Sequence, residues 1–247
     1  MNNQAFTISI IVPAYNEEKT IGKCLKSFQR YLPKKSNHLI EIIVVDNAST
    51  DNTAEICKNF PNVKVIYEPS KGSNRARQRG LEEAKGELLA FIDADSMITK
   101  KWFNTVEKRF SYNEKLVCLS GPYKLYDLPK WQQHIAGLAY VTLYKPVFYL
   151  TRAAVFGGNM VIKREALEKI GGFNIDINLF GDDMDLARRI RKVGKTSFEL
   201  RFKVLSSGRK LKHSGILKTF FISYVANYFW VMILHRPLTK NNKDIRD

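Results

Sequence analysis

Two aspartates one residue apart could together hold a divalent metal ion. Asp93 and Asp95 directly follow the apolar run LLAFI at residues 88–92. Like charges in a buried setting are costly unless a positive charge lies between them. Mg²⁺ and Mn²⁺ prefer hard oxygen ligands of this kind together with substrate phosphates. The pair therefore points to a metal site, while the plainer alternative is a turn at a strand end, where Asp is common.

Polar residues also follow two earlier apolar runs. In IIVPAYNEE, Tyr15 could pack beside a base, and in IIVVDNASTDNT, Asp46 could accept hydrogen bonds from a base or a sugar. Both motifs are also simple exits from strands into loops. Neither motif alone decides between a ligand site and a loop.

Charged residues at two predicted helix starts are further candidates. The stretch KGSNRARQRG carries Arg75, Arg77 and Arg79, and at least one of them could reach a phosphate or a nucleobase. The stretch GDDMDLARRIRKVG begins with acid and ends with base, as a helix dipole favours. A solvated helix face and an N-cap run are the alternative interpretations of these two patterns.

Short apolar runs alternate with helical patterns over the first 120 residues, and these elements must position the candidate side chains. The apolar runs have no polar alternation, which indicates a parallel sheet covered by helices on both faces. Ligands of such sheets bind at the carboxyl ends of the strands, where Asp46, Asp93 and Asp95 lie. The patterns predict strands over 8–12, 41–45, 63–67, 88–92, 116–121 and 196–205, and helices that start near Asn16 and near 54 and cover 73–86.

The order and spacing of these motifs resemble glycosyltransferase family 2. The matching motifs are PAYNEE, VVDNASTDNT, KGSNRARQRG, FIDADS and GDDMDLARRI, with GGNMVIKREALEKIGGFN before the last of them. The resemblance covers roughly residues 7–210. It implies the GT-A fold, an α/β fold with a Rossmann-like, mostly parallel sheet. The catalytic domain would cover 1–213, with a nucleotide-sugar half over about 1–121 and an acceptor half over about 122–213.

The same resemblance implies roles for individual residues. Asp183 corresponds to the general base of an inverting hexosyl transfer from a nucleotide-diphosphate sugar. Asp95 is expected to bind Mn²⁺ or Mg²⁺, together with Asp93. The residues expected around the donor nucleotide are Pro13, Ala14, Tyr15, Glu17, Asp46, Arg77, Asp93 and Ala94. The residues expected on the acceptor side or nearby are Gly158, Asn159, Asp182, Arg209 and His213.

Several residues depart from the pattern of the family. Gln78 stands where many members carry Asn, Asn47 where many carry a second Asp, and Asp182 where Glu is usual. No QxxRW motif follows the base, which disfavours the processive branch. His213 is a candidate third metal ligand, or equally a surface residue in the loop SSGRKLKHSG. None of these departures removes a central group.

The chain is strongly basic and contains an apolar stretch over residues 216–234. Its formal net charge is +16, and residues 216–234 are apolar apart from a narrow polar stripe and Lys218. The stretch could span a membrane, lie in its interface or pack on the domain. We expect a membrane-associated helix over 214–236, a polar tail over 237–247, and a location at the cytoplasmic face of the cell membrane. The apolar region 131–156 is a candidate for the same membrane-facing or acceptor-side surface.

The expected partners are a nucleotide-sugar donor and a glycan or lipid-linked acceptor at a membrane surface. A polyprenyl-phosphate sugar synthase is the alternative enzyme, but its phosphate acceptor needs no base, so the GDDMDL motif favours a hydroxyl acceptor. A nucleic-acid-binding module is a further alternative. It is disfavoured because the basic residues are scattered and no motif with interleaved aromatics occurs. Three widely spaced cysteines argue against a disulfide framework and a zinc knuckle, and fit a reducing compartment.

Overall fold

The structure is a computed structural model. It describes residues 6–33, 40–151, 155–177, 181–209 and 212. The predicted apolar helix over 214–236, the tail over 237–247 and His213 lie outside the described residues. Among the described residues, no helix is both long enough and apolar enough to cross a membrane.

A seven-stranded sheet forms the centre of the molecule. Its strands are β1 Ile8–Ala14, β2 Ile40–Asp46, β3 Val63–Tyr67, β4 Leu88–Ile92, β6 Leu116–Ser120, β8 Asn159–Lys163 and β9 Lys195–Phe198. Their spatial order is β3-β2-β1-β4-β8-β6-β9. Neighbouring strands are parallel except at β8, which is antiparallel to both β4 and β6. The prediction of a mostly parallel α/β sheet is confirmed.

A small second sheet lies beside the large one. It contains β5 Ser96–Met97, β7 Tyr123–Leu125 and β10 Val204–Ser206 in the order β5-β10-β7. β5 begins directly after Asp95, so the aspartate pair lies between the end of β4 in the large sheet and the start of β5 in the small sheet. The small sheet also brings residues from the end of the described chain close to the aspartate pair.

Helices cover both faces of the large sheet, as predicted. The covering helices are α1 Ile21–Tyr31, α2 Thr53–Lys58, α3 Ser73–Glu83, α4 Trp102–Ser111, α7 Arg164–Lys169 and α8 Asp182–Ile190. Two more helices, α5 Lys130–Ala139 and α6 Lys145–Thr151, belong to a segment that contacts β7 of the small sheet. Alternate residues of β1 enter two separate cores: Ile10 and Val12 pack with α1, α2 and α4, and Ile11 packs with α3, α7 and α8. This two-sided burial explains why the strand sequences are continuously apolar.

Two predicted helix boundaries are wrong. α1 begins at Ile21 rather than near Asn16, because Asn16 adopts a left-handed φ of 51° that a helix cannot contain. α3 ends at Glu83, before Gly86, because the backbone is already extended at Ala84. Gly86 has another role: a Cβ there would lie 2.5 Å from the backbone nitrogen of Ser9 in β1.

The single strand predicted over 196–205 is also wrong. The chain forms β9, turns, and then forms β10 in the other sheet. The turn is closed by a 3.0 Å hydrogen bond from the Phe202 amide to the Glu199 carbonyl oxygen. The fully buried Phe202 ring stacks on Trp102 with ring centroids 5.4 Å apart. Burial of this ring bends the chain at a place where the local sequence still favours a strand.

Candidate active site

The predicted donor-site residues meet at one edge of the large sheet. Ala14 and Asp46 are register partners at the carboxyl ends of β1 and β2, and β4 ends beside them directly before Asp93. Parallel strands bring their carboxyl ends to the same edge, so side chains far apart in the sequence become neighbours. The residues there form two charged clusters, one around Arg77 and one around Arg209.

The Arg77 cluster links three segments of the chain. Arg77 projects from α3, and its side chain is only 7% exposed. Its Nη1 lies 2.8 Å from Oδ2 of Asp182 at the start of α8, and its Nη2 lies 3.5 Å from Oδ1 of Asp93. Burial opposes the charged guanidinium, but Asp182, Asp93 and Asp183 outweigh it and raise the pKa of Arg77. The guanidinium therefore holds the two acidic motifs together.

Two adjacent glycines bring two carboxylates against the same turn. A Cβ at Gly157 would overlap Oδ1 of Asp183, and a Cβ at Gly158 would overlap the Asp93 carboxylate. The Gly157 backbone N–H donates a hydrogen bond to Asp183. Tyr123 donates to Oδ2 of Asp93 at 3.4 Å and accepts from the Gly158 N–H at 3.0 Å. Close approach of Asp93 and Asp183 to the backbone therefore requires glycine at both positions.

The Asp183 carboxylate is electrostatically suited to accept a proton near neutral pH. Burial, followed by repulsion from Asp182, raises its pKa from 3.8 to about 7. Arg77 and the Gly157 N–H act in the opposite direction. A base is most effective when its pKa lies near the working pH, so this environment fits the role assigned to Asp183.

The Arg209 cluster surrounds Asp95, the second aspartate of the Asp93 and Asp95 pair. Arg209 makes a two-pronged ion pair with Glu17, with one contact at 2.8 Å, and its Nη2 also lies 3.1 Å from Oδ2 of Asp95. Glu17 is 2% exposed, whereas Arg209 is 32% exposed. Ser206 donates to Oδ1 of Asp95 at 3.2 Å. Burial and then repulsion from Asp93 raise the pKa of Asp95 to about 7, and Arg209 opposes the shift.

The remaining residues expected around the donor nucleotide lie at the same edge of the sheet and are buried or half-buried. Ala14 and Ala94 are buried and Pro13 is half-buried, so these three residues shape the backbone. Tyr15 is also buried, its ring lies 4.4 Å from the Lys71 ammonium, and Lys71 contacts its hydroxyl oxygen. Asp46 is buried and accepts a 3.2 Å hydrogen bond from the Ser49 amide.

Two of the departures from the family pattern have structural explanations. The Asn47 amide donates to the carbonyl oxygens of Glu68 and Ser70 and accepts from the Gly72 amide, which fixes the loop before α3. An aspartate could not donate the first two bonds. The oxygen of the Gln78 side chain accepts a 3.0 Å hydrogen bond from the Phe173 amide.

Asn159 lies in the scaffold beneath the site. Its side chain is fully buried, donates to the carbonyl oxygens of Gly121 and Phe202, and accepts from the Trp102 indole N–H. Every hydrogen-bonding atom of this amide side chain therefore has a partner within the protein. It joins the turn after β9 to β8 rather than facing the charged clusters.

Sequence reasoning missed several contributors to the site. Tyr123, Gly157 and Ser206 contact Asp93, Asp183 and Asp95 directly, and each comes from a different part of the chain. The FGGN stretch carried a usable signal for Gly157, since two adjacent glycines before a strand often mark a close approach of another group. No local pattern distinguishes Tyr123 from the other ten tyrosines of the chain.

Asp93 and Asp95 suit a metal that takes its other ligands from a substrate. In the described part of the chain, no group of three or more His, Cys, Asp or Glu residues is placed to hold a metal by itself. Mg²⁺ is usually bound by one or two carboxylates together with substrate phosphates, and the two aspartates supply that donor set. The two carboxylates therefore fit a metal ion bound together with a diphosphate better than a metal ion alone.

Comparisons with known proteins show which family the chain resembles. A family model described as glycosyl transferase family 2 matches residues 9–171, and one described as N-terminal domain of galactosyltransferase matches residues 139–214. An uncharacterized glycosyltransferase of Haemophilus influenzae is 28% identical over 90% of this chain and 96% of its own length. A dolichyl-phosphate beta-glucosyltransferase of Trichomonas vaginalis is 36% identical over 41% of this chain and 33% of its own length.

The matched part is short relative to several relatives. It spans 31%, 32% and 40% of the length of three other curated glycosyltransferases. A mannosyltransferase of Pyrobaculum calidifontis, solved with GDP-Man and Mn²⁺, has a TM-score of 0.62 at 21% identity over 83% of this chain and 57% of that one. At this identity the likeness concerns the fold, which is GT-A.

Cys24, Cys57 and Cys118 are all buried thiols. The family model covers well over half of the 247 residues and includes the DxD motif formed by Asp93, Ala94 and Asp95, as well as Arg77 and the Gly157–Gly158 pair. The chain therefore belongs to glycosyl transferase family 2.

Proposed function

We propose that the chain transfers a hexose, with inversion, from a nucleotide-diphosphate sugar to a hydroxyl group of a glycan or lipid-linked acceptor. One observation carries this proposal. Asp183, whose pKa is raised to about 7, is held in the same ionic cluster as Asp93 of the DxD motif, through Arg77 and the Gly157–Gly158 turn. A proton acceptor therefore lies beside the carboxylates expected to hold the donor.

In this mechanism Asp183 removes the proton from the acceptor hydroxyl as its oxygen attacks the anomeric carbon. The bond from that carbon to the diphosphate oxygen breaks, and a nucleoside diphosphate leaves with the bonding electrons. Attack from the side opposite the leaving group gives inversion. Asp182 is held by Arg77 at 2.8 Å, so it positions the guanidinium while Asp183 remains available for proton transfer.

The Arg209 cluster would bind the donor diphosphate. Asp95 and Asp93 would hold Mn²⁺ or Mg²⁺, which when bound neutralises charge on the leaving diphosphate. Arg209 is partly exposed, and its guanidinium geometry suits two-pronged binding of phosphate oxygens. UDP-, GDP- and dTDP-sugars are the candidate donors, and residues 13–17 with Asp46 would enclose the nucleotide.

The proposed location is the cytoplasmic face of the cell membrane. A net charge of +16 favours anionic surfaces, and the sequence of residues 216–234 is apolar enough to associate with a bilayer. A lipid-linked acceptor would be available at such a surface.

A polyprenyl-phosphate sugar synthase is the second candidate, supported by the likeness to the Trichomonas vaginalis enzyme. A phosphate acceptor is already ionised, so that reaction would leave Asp183 without a catalytic task. The placement of Asp183 therefore favours a hydroxyl acceptor.

The test supplies labelled UDP-, GDP- and dTDP-sugars with Mn²⁺ and two acceptor sources, a membrane lipid extract and a synthetic polyprenyl phosphate. We expect a glycoside that survives mild acid, with its anomeric configuration opposite to that of the donor. An acid-labile sugar phosphate made from the polyprenyl phosphate would support the synthase instead. Retained anomeric configuration would contradict the proposed mechanism.

A further inference from the structure

An exposed apolar face runs along the helical segment over residues 130–151. This segment consists of α5, a π-helical turn over Tyr140–Tyr144, and α6. No residue of α5 is buried. Trp131, Ile135 and Leu138 are 59%, 50% and 63% exposed, and their i, i+4, i+7 spacing places them on one side of the helix. Clustered exposure of large apolar side chains marks an interaction surface.

The charge of the 130–151 helix indicates what kind of surface it meets. The segment KWQQHIAGLAYVTLYKPVFYLT contains two lysines and a histidine but no acidic residue. Lys130 is exposed, and Lys145 lies over the Tyr149 ring at 5.9 Å. Lys124, on the neighbouring strand β7 that packs against α5, is also exposed. An apolar face bordered by cations is complementary to a bilayer that carries anionic headgroups.

Two exposed aromatic side chains of the 130–151 helix are also typical of a membrane interface. Trp131 and Tyr149 are 59% and 57% exposed, and Trp and Tyr are enriched where apolar bilayer meets headgroup. A helix with one apolar face bordered by cations would lie in the plane of the interface.

The other side of the helix connects to the charged clusters through aromatic rings. Tyr140 lies edge-on to Phe156 at 5.7 Å, and Phe156 lies edge-on to Tyr123 at 5.4 Å between ring centroids. Tyr123 in turn hydrogen-bonds Asp93. Phe148 completes the packing against Phe156 and Phe198. The helix that carries the exposed apolar face is thus connected to Asp93 through consecutive contacts of Tyr140, Phe156 and Tyr123.

We propose that the 130–151 helix is a docking surface for anionic phospholipid bilayers, with Trp131, Ile135 and Leu138 inserted below the headgroups. Docked in this way, the chain would present the Arg77 cluster close to the membrane, where the reactive hydroxyl of a lipid-linked acceptor is located. The docking surface itself does not depend on the reaction catalysed. Vesicle binding without any sugar donor therefore tests it separately from the proposed function.

The experiment is vesicle flotation of the full chain with mixed phosphatidylglycerol–phosphatidylcholine vesicles and with phosphatidylcholine alone. We expect binding to the anionic vesicles and weaker binding to the neutral ones. Leu138→Glu should reduce the partition coefficient by about tenfold or more, because an inserted leucine is replaced by a charge. Tyr112→Glu is the matched control: Tyr112 is 67% exposed after α4, away from this helix, and should leave binding unchanged.

A second readout needs only a conservative substitution in the apolar face. The Trp131 emission, obtained as the difference between the full chain and Trp131→Phe, should shift to shorter wavelength on vesicles and be quenched by brominated lipid. Equal flotation of Leu138→Glu and the unaltered chain, or a Trp131 signal that vesicles leave unchanged, would overturn the proposal. So would a change from dimer to monomer in Leu138→Glu with vesicle binding intact, since the face would then bind a second copy.

Discussion

The two charged clusters use the same chemical groups but differ in how firmly they are held. Each places one guanidinium between two carboxylates, and each contains an aspartate whose pKa is raised to about 7. Arg77 is 7% exposed and projects from the middle of α3. Arg209 is 32% exposed and lies close to the end of the described residues.

This difference separates a fixed charge from an adjustable one. Breaking a buried ion pair leaves an uncompensated charge and is costly, so Arg77 is expected to keep its partners throughout the reaction. Arg209 is partly exposed, so water can solvate its guanidinium at a lower cost than that of Arg77, although the buried Glu17 still opposes its departure. Proton transfer would take place beside the rigid cluster, and donor binding and product release beside the adjustable one.

The largest expected effect is on proton transfer beside Arg77. Asp183→Asn removes the base and should lower the rate of transfer to a hydroxyl acceptor by about 10²–10⁴-fold. Donor binding should be nearly unchanged. The rate is measured with a fixed acceptor under saturating donor, and the exposed Asp176→Asn serves as the control. Undiminished turnover in Asp183→Asn would falsify the assigned role.

Removing the fixed guanidinium should affect the whole fold. Arg77→Gln leaves Asp182 without its 2.8 Å partner, and we expect a loss of about 3–5 kcal/mol in the free energy of unfolding. Arg79→Gln, on the same helix but 41% exposed, should cost less than about 1 kcal/mol. Urea unfolding followed by circular dichroism measures both variants. Equal losses would show that burial does not distinguish the two arginines.

The raised pKa of Asp183 predicts opposite pH trends for activity and stability. The base must be ionised, so kcat/KM should rise about tenfold per pH unit below about pH 7 and level off above it. The folded protein holds this proton more tightly than the unfolded chain does. The stabilisation is therefore complete below the ordinary value of 3.8 and is lost as the pH rises to about 7.

The stability trend is measured as the difference in melting temperature between the unaltered chain and Asp183→Asn. The unaltered chain should lose stability relative to the variant as the pH rises from about 5 to about 8. A difference that stays constant over this range would contradict the assigned pKa shift.

The smallest expected effect concerns the adjustable cluster. Arg209→Gln should weaken binding of a nucleotide sugar by about tenfold, because one charge-assisted contact to the diphosphate is lost. The effect on stability should be smaller than that of Arg77→Gln. Isothermal titration of the donor measures this change, with Arg201→Gln as an exposed control on a nearby loop. Unaltered donor affinity in Arg209→Gln would leave the guanidinium with a purely structural role.

The sheet and the helices on both faces were predictable because local sequence determines them. Continuous apolar runs identified β1 to β4 to within two residues at each end, and LLAFI matches β4 residue for residue. The strand predicted over 196–205 failed because its break depends on the packing of Phe202 against Trp102, about a hundred residues away. Tertiary burial overrode a favourable local pattern there.

The site was predictable only in part. The resemblance to the family placed Asp93, Asp95, Arg77 and Asp183 together, and the structure brings all four to one edge of the sheet. It did not reveal that Arg209 pairs with Glu17, 192 residues away in sequence, because no local pattern encodes such a contact. His213, a candidate third metal ligand or equally a surface residue, lies outside the described residues, and its role stays a prediction.

Thermal unfolding with a panel of nucleotide sugars, with and without Mn²⁺, tests the central claim most directly. We predict that one donor stabilises the unaltered chain and Asp183→Asn equally, that Mn²⁺ is required, and that Asp95→Asn loses the effect. Such a result would identify the sheet edge as the donor site and separate donor binding from proton transfer. If no nucleotide sugar stabilises the chain, or if Asp95→Asn responds like the unaltered chain, the account is contradicted.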